Sequence, residues 1–206
     1  MGLTARNKGG SLTPIPQDLH LAVCYAIYDI GTQFSERYSK SIHKVIIIWE
    51  LPECLGEFEM EDGTKKKLPR SISKRYRLSL HEKADLRKDL ENWRGRKFTD
   101  EELKGFDLKK LLGVPCQIQV VHNTVNGQIY SNISAITKVP TGTKVQPVNP
   151  HKFFSFEEPN HEIPAGTPQW VTDLIKQSSE FKGGNGTNGR EPGEDYDGPP
   201  EDDIPF

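Results

Sequence analysis

Cysteine is scarce in this chain: Cys24, Cys54 and Cys116 are scattered and odd in number. That argues against a disulfide framework and for a reducing compartment. No apolar run is long enough to span a membrane, and no signal-like opening is present. Met1-Gly2 is followed by Arg6 where myristoylation needs Ser or Thr. His20, His43, His81, His122, His151 and His161 show no metal-binding spacing with each other or with the cysteines. A Gly-rich phosphate loop and a nucleophile elbow are also missing. The acids Glu57, Glu59, Glu61 and Asp62 sit beside Gly63 and read as an exposed turn rather than an ion site. The expectation is a chain without catalytic residues, metal or cofactor.

What the chain does have is an uneven charge distribution. From Lys182 onward, Lys182 and Arg190 face Glu191, Glu194, Asp195, Asp197, Glu201, Asp202 and Asp203 in a stretch rich in Gly, Pro and Asn. Too few apolar side chains remain there to repay ordering, so residues 182–206 read as a disordered acidic tail. The whole chain carries only −2, so the body is mildly basic. The tail finishes Asp202-Asp203-Ile204-Pro205-Phe206. A terminal aromatic ring suits an apolar pocket, its carboxylate suits an Arg or Lys, and the aspartates suit a basic rim. This ending resembles the C-terminal tip of the single-stranded DNA-binding proteins of bacteria and many of their phages. The resemblance implies that these five residues dock replication and recombination enzymes.

In the body, Leu19 to Gly31 is rich in β-formers, and His43 to Leu51 is a nearly continuous apolar run stopped by Pro52, a central strand. Glu53 to Leu68 reads as a charged loop. Arg70 to Leu80 alternates, with Ile72, Lys74, Tyr76, Leu78 and Leu80 on one face and Ser71, Ser73, Arg75, Arg77 and Ser79 on the other. Ser79 with Glu82 and Thr99 with Glu102 form capping-box patterns ahead of two helical stretches, which end at Gly95 and at Gly113-Pro115. Cys116 to Val125 and Gln128 to Lys138 are strands joined by Asn126-Gly127, the strongest hairpin signal. Strict alternation puts Ile118, Val120 and His122 with Ile129, Ile133 and Ala135 on the core side, and Tyr130 and Ile136 outside. Residues 149–164 read as an irregular strap, and Thr167-Pro168 opens a last helix.

The order strand, strand, strand, helix, strand, strand is that of the OB-fold, a five-stranded Greek-key barrel, here mainly β with helices inserted between strands 3 and 4. The organisation is then a loose arm over residues 1–16, an OB domain with a C-terminal helix over 17–181, and the tail. The stretch WRGRKFTDEELKGFDLKKLLGVPC before the hairpin loosely resembles phage OB-fold proteins of replication and recombination. That likeness is less specific than the tail's, and it leaves a homo-oligomer open.

Binding single strands without sequence preference needs cations along the phosphates and rings on which bases stack. Residues 64–97 hold 13 of the 27 Lys and Arg. From them come the DNA-binding candidates Lys74, Arg75, Tyr76, Arg77, Arg94 and Arg96, with Trp93 among the cations, Tyr130 on a polar face and Trp49 in an apolar strand. Strict alternation points Lys74 and Tyr76 inward unless a bulge reverses them. The expected partners are single-stranded DNA and tail-reading enzymes, with no membrane. The second reading is an adaptor or decoy with an SSB-like tip and little DNA affinity. A nuclease carrying such a tail is the third.

Overall fold

The computed structural model describes residues 13–35, 39–59, 63–159 and 161–183. Its sheet runs β3-β2-β1-β4-β5, with β6 joined to β1. The strands are β1 (Leu19–Ser35), β2 (Lys40–Glu59), β3 (Lys65–Arg77), β4 (Pro115–Val125), β5 (Gln128–Thr137) and β6 (Lys152–Phe154). Neighbours are antiparallel except β6, which runs parallel to β1. Helices α1 (Asp85–Arg94) and α2 (Asp100–Lys104) and a 3-10 turn (Leu108–Leu111) lie between β3 and β4. Helices α3 (Gln169–Gln177) and α4 (Ser179–Lys182) follow β6. Among the described residues, no helix is long and apolar enough to cross a membrane.

The apolar density of β1 and β2 reflects burial on both faces. One face carries Ala22, Cys24, Ile27, Val45, Ile47, Trp49 and Leu51 into a core shared with β3, β4, β5 and α1. The other carries Ala26, Tyr28, Ile30, Ile46 and Ile48 against Phe154, Val171 and Ile175. A regular strand cannot hold Cys24 and Ile27 on one side, because faces alternate. The register shift between Cys24 and Ala26 solves this by inserting Tyr25 as a bulge.

Several boundaries differ from those read in the sequence. Residues 53–59 and 65–68, expected in a loop, are strand: β2 continues past Pro52 and pairs with residues 65–69 as a two-stranded ribbon. Pro52 is tolerated because it falls in the register break between Leu51 and Leu55, beyond the last β1 partner at Val23↔Glu50. The first helix starts at Asp85 with Ala84 as its N-cap and no side-chain cap bond, so the Ser79/Glu82 box does not form. The Thr99/Glu102 box does form. The hairpin turn is as read, with Asn126 and Gly127 both at positive φ and Val125 opposite Gln128. A bulge between Gln119 and Val120, however, sets Ile136 opposite Ile118 and buries it completely. Ile136 is therefore core, and Ala135 moves to the other face beside Gln119. Ile15, expected in the loose arm, is only 4 % exposed and joins the core. His122 Nε2 and the Ser131 hydroxyl both bond its carbonyl, at 2.7 and 3.2 Å.

The end of the described chain is fastened to β1. Glu180 accepts from the Thr32 amide at 2.7 Å and the Thr32 hydroxyl at 2.6 Å, and lies 3.6 Å from His43 Nδ1. His43 Nε2 sits 2.7 Å from Asp29, which also accepts from the Gly31 amide at 2.9 Å. Gly31 has φ +63°, and a Cβ there would meet Glu180 at 2.5 Å and Ser178 at 2.7 Å. Gly31→Ala should therefore cost about 1–3 kcal/mol in denaturant unfolding. Gly105→Ala, with φ 174° and nothing within 4 Å of the added carbon, should stay within about 0.5 kcal/mol of wild type.

Candidate functional site

β3 has no bulge of its own, so its odd-numbered residues share one face along the whole strand. Lys65, Lys67, Ser71, Ser73, Arg75 and Arg77 lie on it. The ladder sets Arg77 opposite Lys44, Arg75 opposite Ile46, Ser73 opposite Ile48 and Ser71 opposite Glu50. Ile46 and Ile48 are covered by the strap and α3, so the β3 row borders a covered strip and stays open itself. Arg77, Ser73 and Ser71 are exposed and Arg75 is half-buried. Lys44 was not among the sequence candidates; only the β2–β3 register reveals that it stands beside Arg77. At the far end of the row, Tyr25 hydrogen-bonds Ser71, and burial raises its phenol pKa.

The inward residues of β3 have a different occupation. Lys74 Nζ and the Tyr76 hydroxyl both donate to Asp89 Oδ2 of α1, each at 2.8 Å. No bulge reverses the pair, and Tyr76 is 3 % exposed. The two belong to the β3–α1 packing, a correction to their candidacy as DNA ligands. Asp89 carried no sequence signal beyond lying on a helix.

Trp49 and Trp93 are likewise corrected from stacking candidates to core residues. They are 0 % and 2 % exposed, and their ring centroids lie 5.7 Å apart. Trp93 donates its indole N–H to the Pro115 carbonyl at 2.9 Å. Truncating either would cost about 3–5 kcal/mol, so neither is available as a platform for bases.

Arg94 and Arg96 converge on Glu102. Arg94 bonds Glu102 Oε1, and Arg96 reaches both carboxylate oxygens at 2.6 and 2.9 Å. The Arg94 guanidinium also lies over the Phe98 and Phe106 rings, 4.4 and 5.0 Å from their centroids. Both arginines thus serve the joint between α1 and α2. Lys65 pairs with Glu57, Arg87 with Glu91 and Lys88 with Asp85, so much of the basic run is used within the fold.

Tyr130 stands on β5 opposite Asn123, half-buried, with its hydroxyl 3.2 Å from Gln128. Among the described residues β5 forms a ladder only with β4, so no ladder links Tyr130 to the β3 row. Asp202, Asp203, Ile204, Pro205 and Phe206 lie outside the described residues.

Reactive chemistry finds little support. Burial pushes the Cys24 and Cys116 thiols well up, which removes them as nucleophiles. Glu50 is fully buried and accepts from the Val148 amide at 2.6 Å, the Asn149 amide at 2.9 Å and the Asn149 side chain. It ties the strap to β2. Among the described residues, no cluster of His, Cys, Asp and Glu is placed to hold a metal ion. No protein family, no curated protein and no solved structure matches the chain.

The Glu102 cluster has a pH signature. The bonds from Arg96, Thr99 and Arg94 hold its carboxyl down from 4.5 to about 2. A depressed folded pKa contributes stability above the unfolded value and loses it as the folded pKa is approached from above. Thermal unfolding of Glu102→Gln should therefore show a lower midpoint at neutral pH. The gap to wild type should close as pH falls from 4.5 towards about 2.

Proposed function

We propose that this chain binds single-stranded DNA without strong sequence preference and recruits replication, recombination or repair enzymes of a phage-infected cell through its C-terminal tip. The observation that carries the DNA half is the open face of β3, where Arg75 and Arg77 stand beside Lys44 with the hydroxyls of Ser71 and Ser73 in line. Cations follow phosphates whatever the bases, and hydroxyls donate to phosphate oxygens. The sheet order, with helices between β3 and β4, supports an OB-type barrel, a fold that often carries oligonucleotides on this region of its surface. Tyr130 remains a stacking candidate, being half-buried where Trp49, Trp93 and Tyr76 are buried.

The adaptor reading draws on a specific observation as well: Lys74, Arg87, Arg94 and Arg96 all pair with carboxylates of the fold. A basic run spent in this way gives less attraction to DNA than its charge suggests.

Replacing Lys44, Arg75 and Arg77 by Ala in the full chain should weaken binding to oligonucleotides of any sequence about equally. The salt slope should fall by roughly 0.7 for each phosphate that is no longer neutralised. Tyr130→Ala should cost about 1–3 kcal/mol if a base stacks on it. Fluorescence anisotropy at low salt reads both effects, and no binding by the wild-type chain hands the function to the adaptor reading.

The tip is tested separately. Deleting Phe206 leaves an apolar pocket empty and withdraws the terminal carboxylate by one residue. Pull-downs from bacterial lysate should lose replication and repair enzymes with this variant. Equal recovery by both proteins would sink the docking role.

A further inference from the structure

Past Glu50, β2 leaves β1 and runs with β3 as a ribbon over residues 53–59 and 65–68. β3 ends the strand order, and among the described residues no third strand borders either side of the ribbon. Exposed backbone edges of this kind are templates for another strand. On β2 the even-numbered residues are half-buried: Cys54 packs against the core, and Phe58 and Arg70 close over Gly56, whereas Lys66 and Leu68 opposite them on β3 are exposed. The odd-numbered face looks outward, with Leu55 54 % exposed opposite Pro69, then Glu57 opposite Lys67 and Glu59 opposite Lys65.

Charge is segregated by strand. One edge carries Glu53, Glu57 and Glu59, the other Lys65, Lys66 and Lys67. The ribbon is therefore neutral as a whole, and Lys65 already sits 2.9 Å from Glu57. A neutral element offers a polyanion little net attraction, which argues against a DNA arm. A partner strand of opposite charge, by contrast, finds a matching edge on either side, and this chain supplies both.

We infer that the ribbon is a self-association element in which the acidic β2 edge of one copy pairs with the basic β3 edge of the next. A two-fold arrangement would set β2 against β2 or β3 against β3, with like charges opposed across the new ladder. The head-to-tail arrangement repeats the Glu–Lys matching already present inside the ribbon. Its surfaces are heterologous, so it builds rings or open chains of copies rather than an isologous dimer. Leu55 gains apolar cover in the joint. This holds whether or not the chain binds DNA.

Sedimentation velocity of the full chain without DNA tests the inference. Wild type should show a sedimentation coefficient that rises with protein concentration without a plateau at dimer, and high salt should reverse the rise. K65E/K67E and E57K/E59K should each abolish the rise, the first by making both strands acidic and the second by making both basic. An equimolar mixture of the two should restore it, which a folding defect in either variant cannot do. A wild-type chain monomeric throughout the micromolar range overturns the inference, as does a plateau at dimer. So does a mixture that stays monomeric. If K65E/K67E leaves self-association intact and weakens thymidine-oligomer binding instead, the ribbon is a nucleic-acid arm and the inference fails.

Discussion

The antiparallel pairing of β1 with β2 is the constraint from which the remaining structure follows. Both strands must fill two apolar layers at once, one with α1 beneath it and one under α3 and the strap. The Tyr25 bulge is what makes that double burial compatible with strand periodicity. β3, hydrogen-bonded to β2 at the end of the sheet, meets only one of those layers on its inner side. Its other face is left polar, and the cations on it stand on a support whose backbone is fixed by two cores. On the proposed reading, a ligand on this face would not have to order the strand, only the Lys and Arg side chains it meets.

Charge in this protein divides into two populations that a count cannot separate. Lys74, Arg87, Arg94 and Arg96 meet Asp89, Glu91 and Glu102, and with them hold α1 and α2 against the sheet and each other. Arg75, Arg77 and Lys44 share one face of the β2–β3 ladder, Arg77 exposed and the other two half-buried. The first population makes the helical insertion a stable cap on the core. The second gives the surface its chemistry. Glu180 belongs with the first, since it pins α4 to Thr32 of β1.

Much of this was legible in the residues. The apolar run from His43 to Leu51, the Asn126-Gly127 turn and the Thr99/Glu102 box each carry a local physical cause; the turn and the box appear as read, and the run is a strand with neighbours on both sides that continues past Pro52. The alternation in Arg70 to Leu80 gave the correct faces for Arg75, Arg77, Lys74 and Tyr76 up to the end of β3 at Arg77. What was not legible depends on partners distant in sequence. A bulge costs one residue of register and leaves no compositional trace, so Ile136 was assigned to the wrong face. Pro52 signals a stop only if its strand has neighbours on both sides, and there it has lost one. Lys44 became a site residue through register alone. Trp93 sits among cations, where a ring suits either a platform or the core, while Trp49 in its apolar strand already leaned to the core; the packing of α1 on the sheet buries both.

The central claim is that a single strand of DNA lies along the outer face of β3. Arginine-selective modification of the full chain, mapped by mass spectrometry with and without saturating thymidine oligomer, tests it most directly. The account predicts that Arg75 and Arg77 lose reactivity when DNA is bound while Arg87, Arg94 and Arg96 keep theirs. Unchanged reactivity of Arg75 and Arg77 at saturation, or protection confined to Arg94 and Arg96, would contradict it.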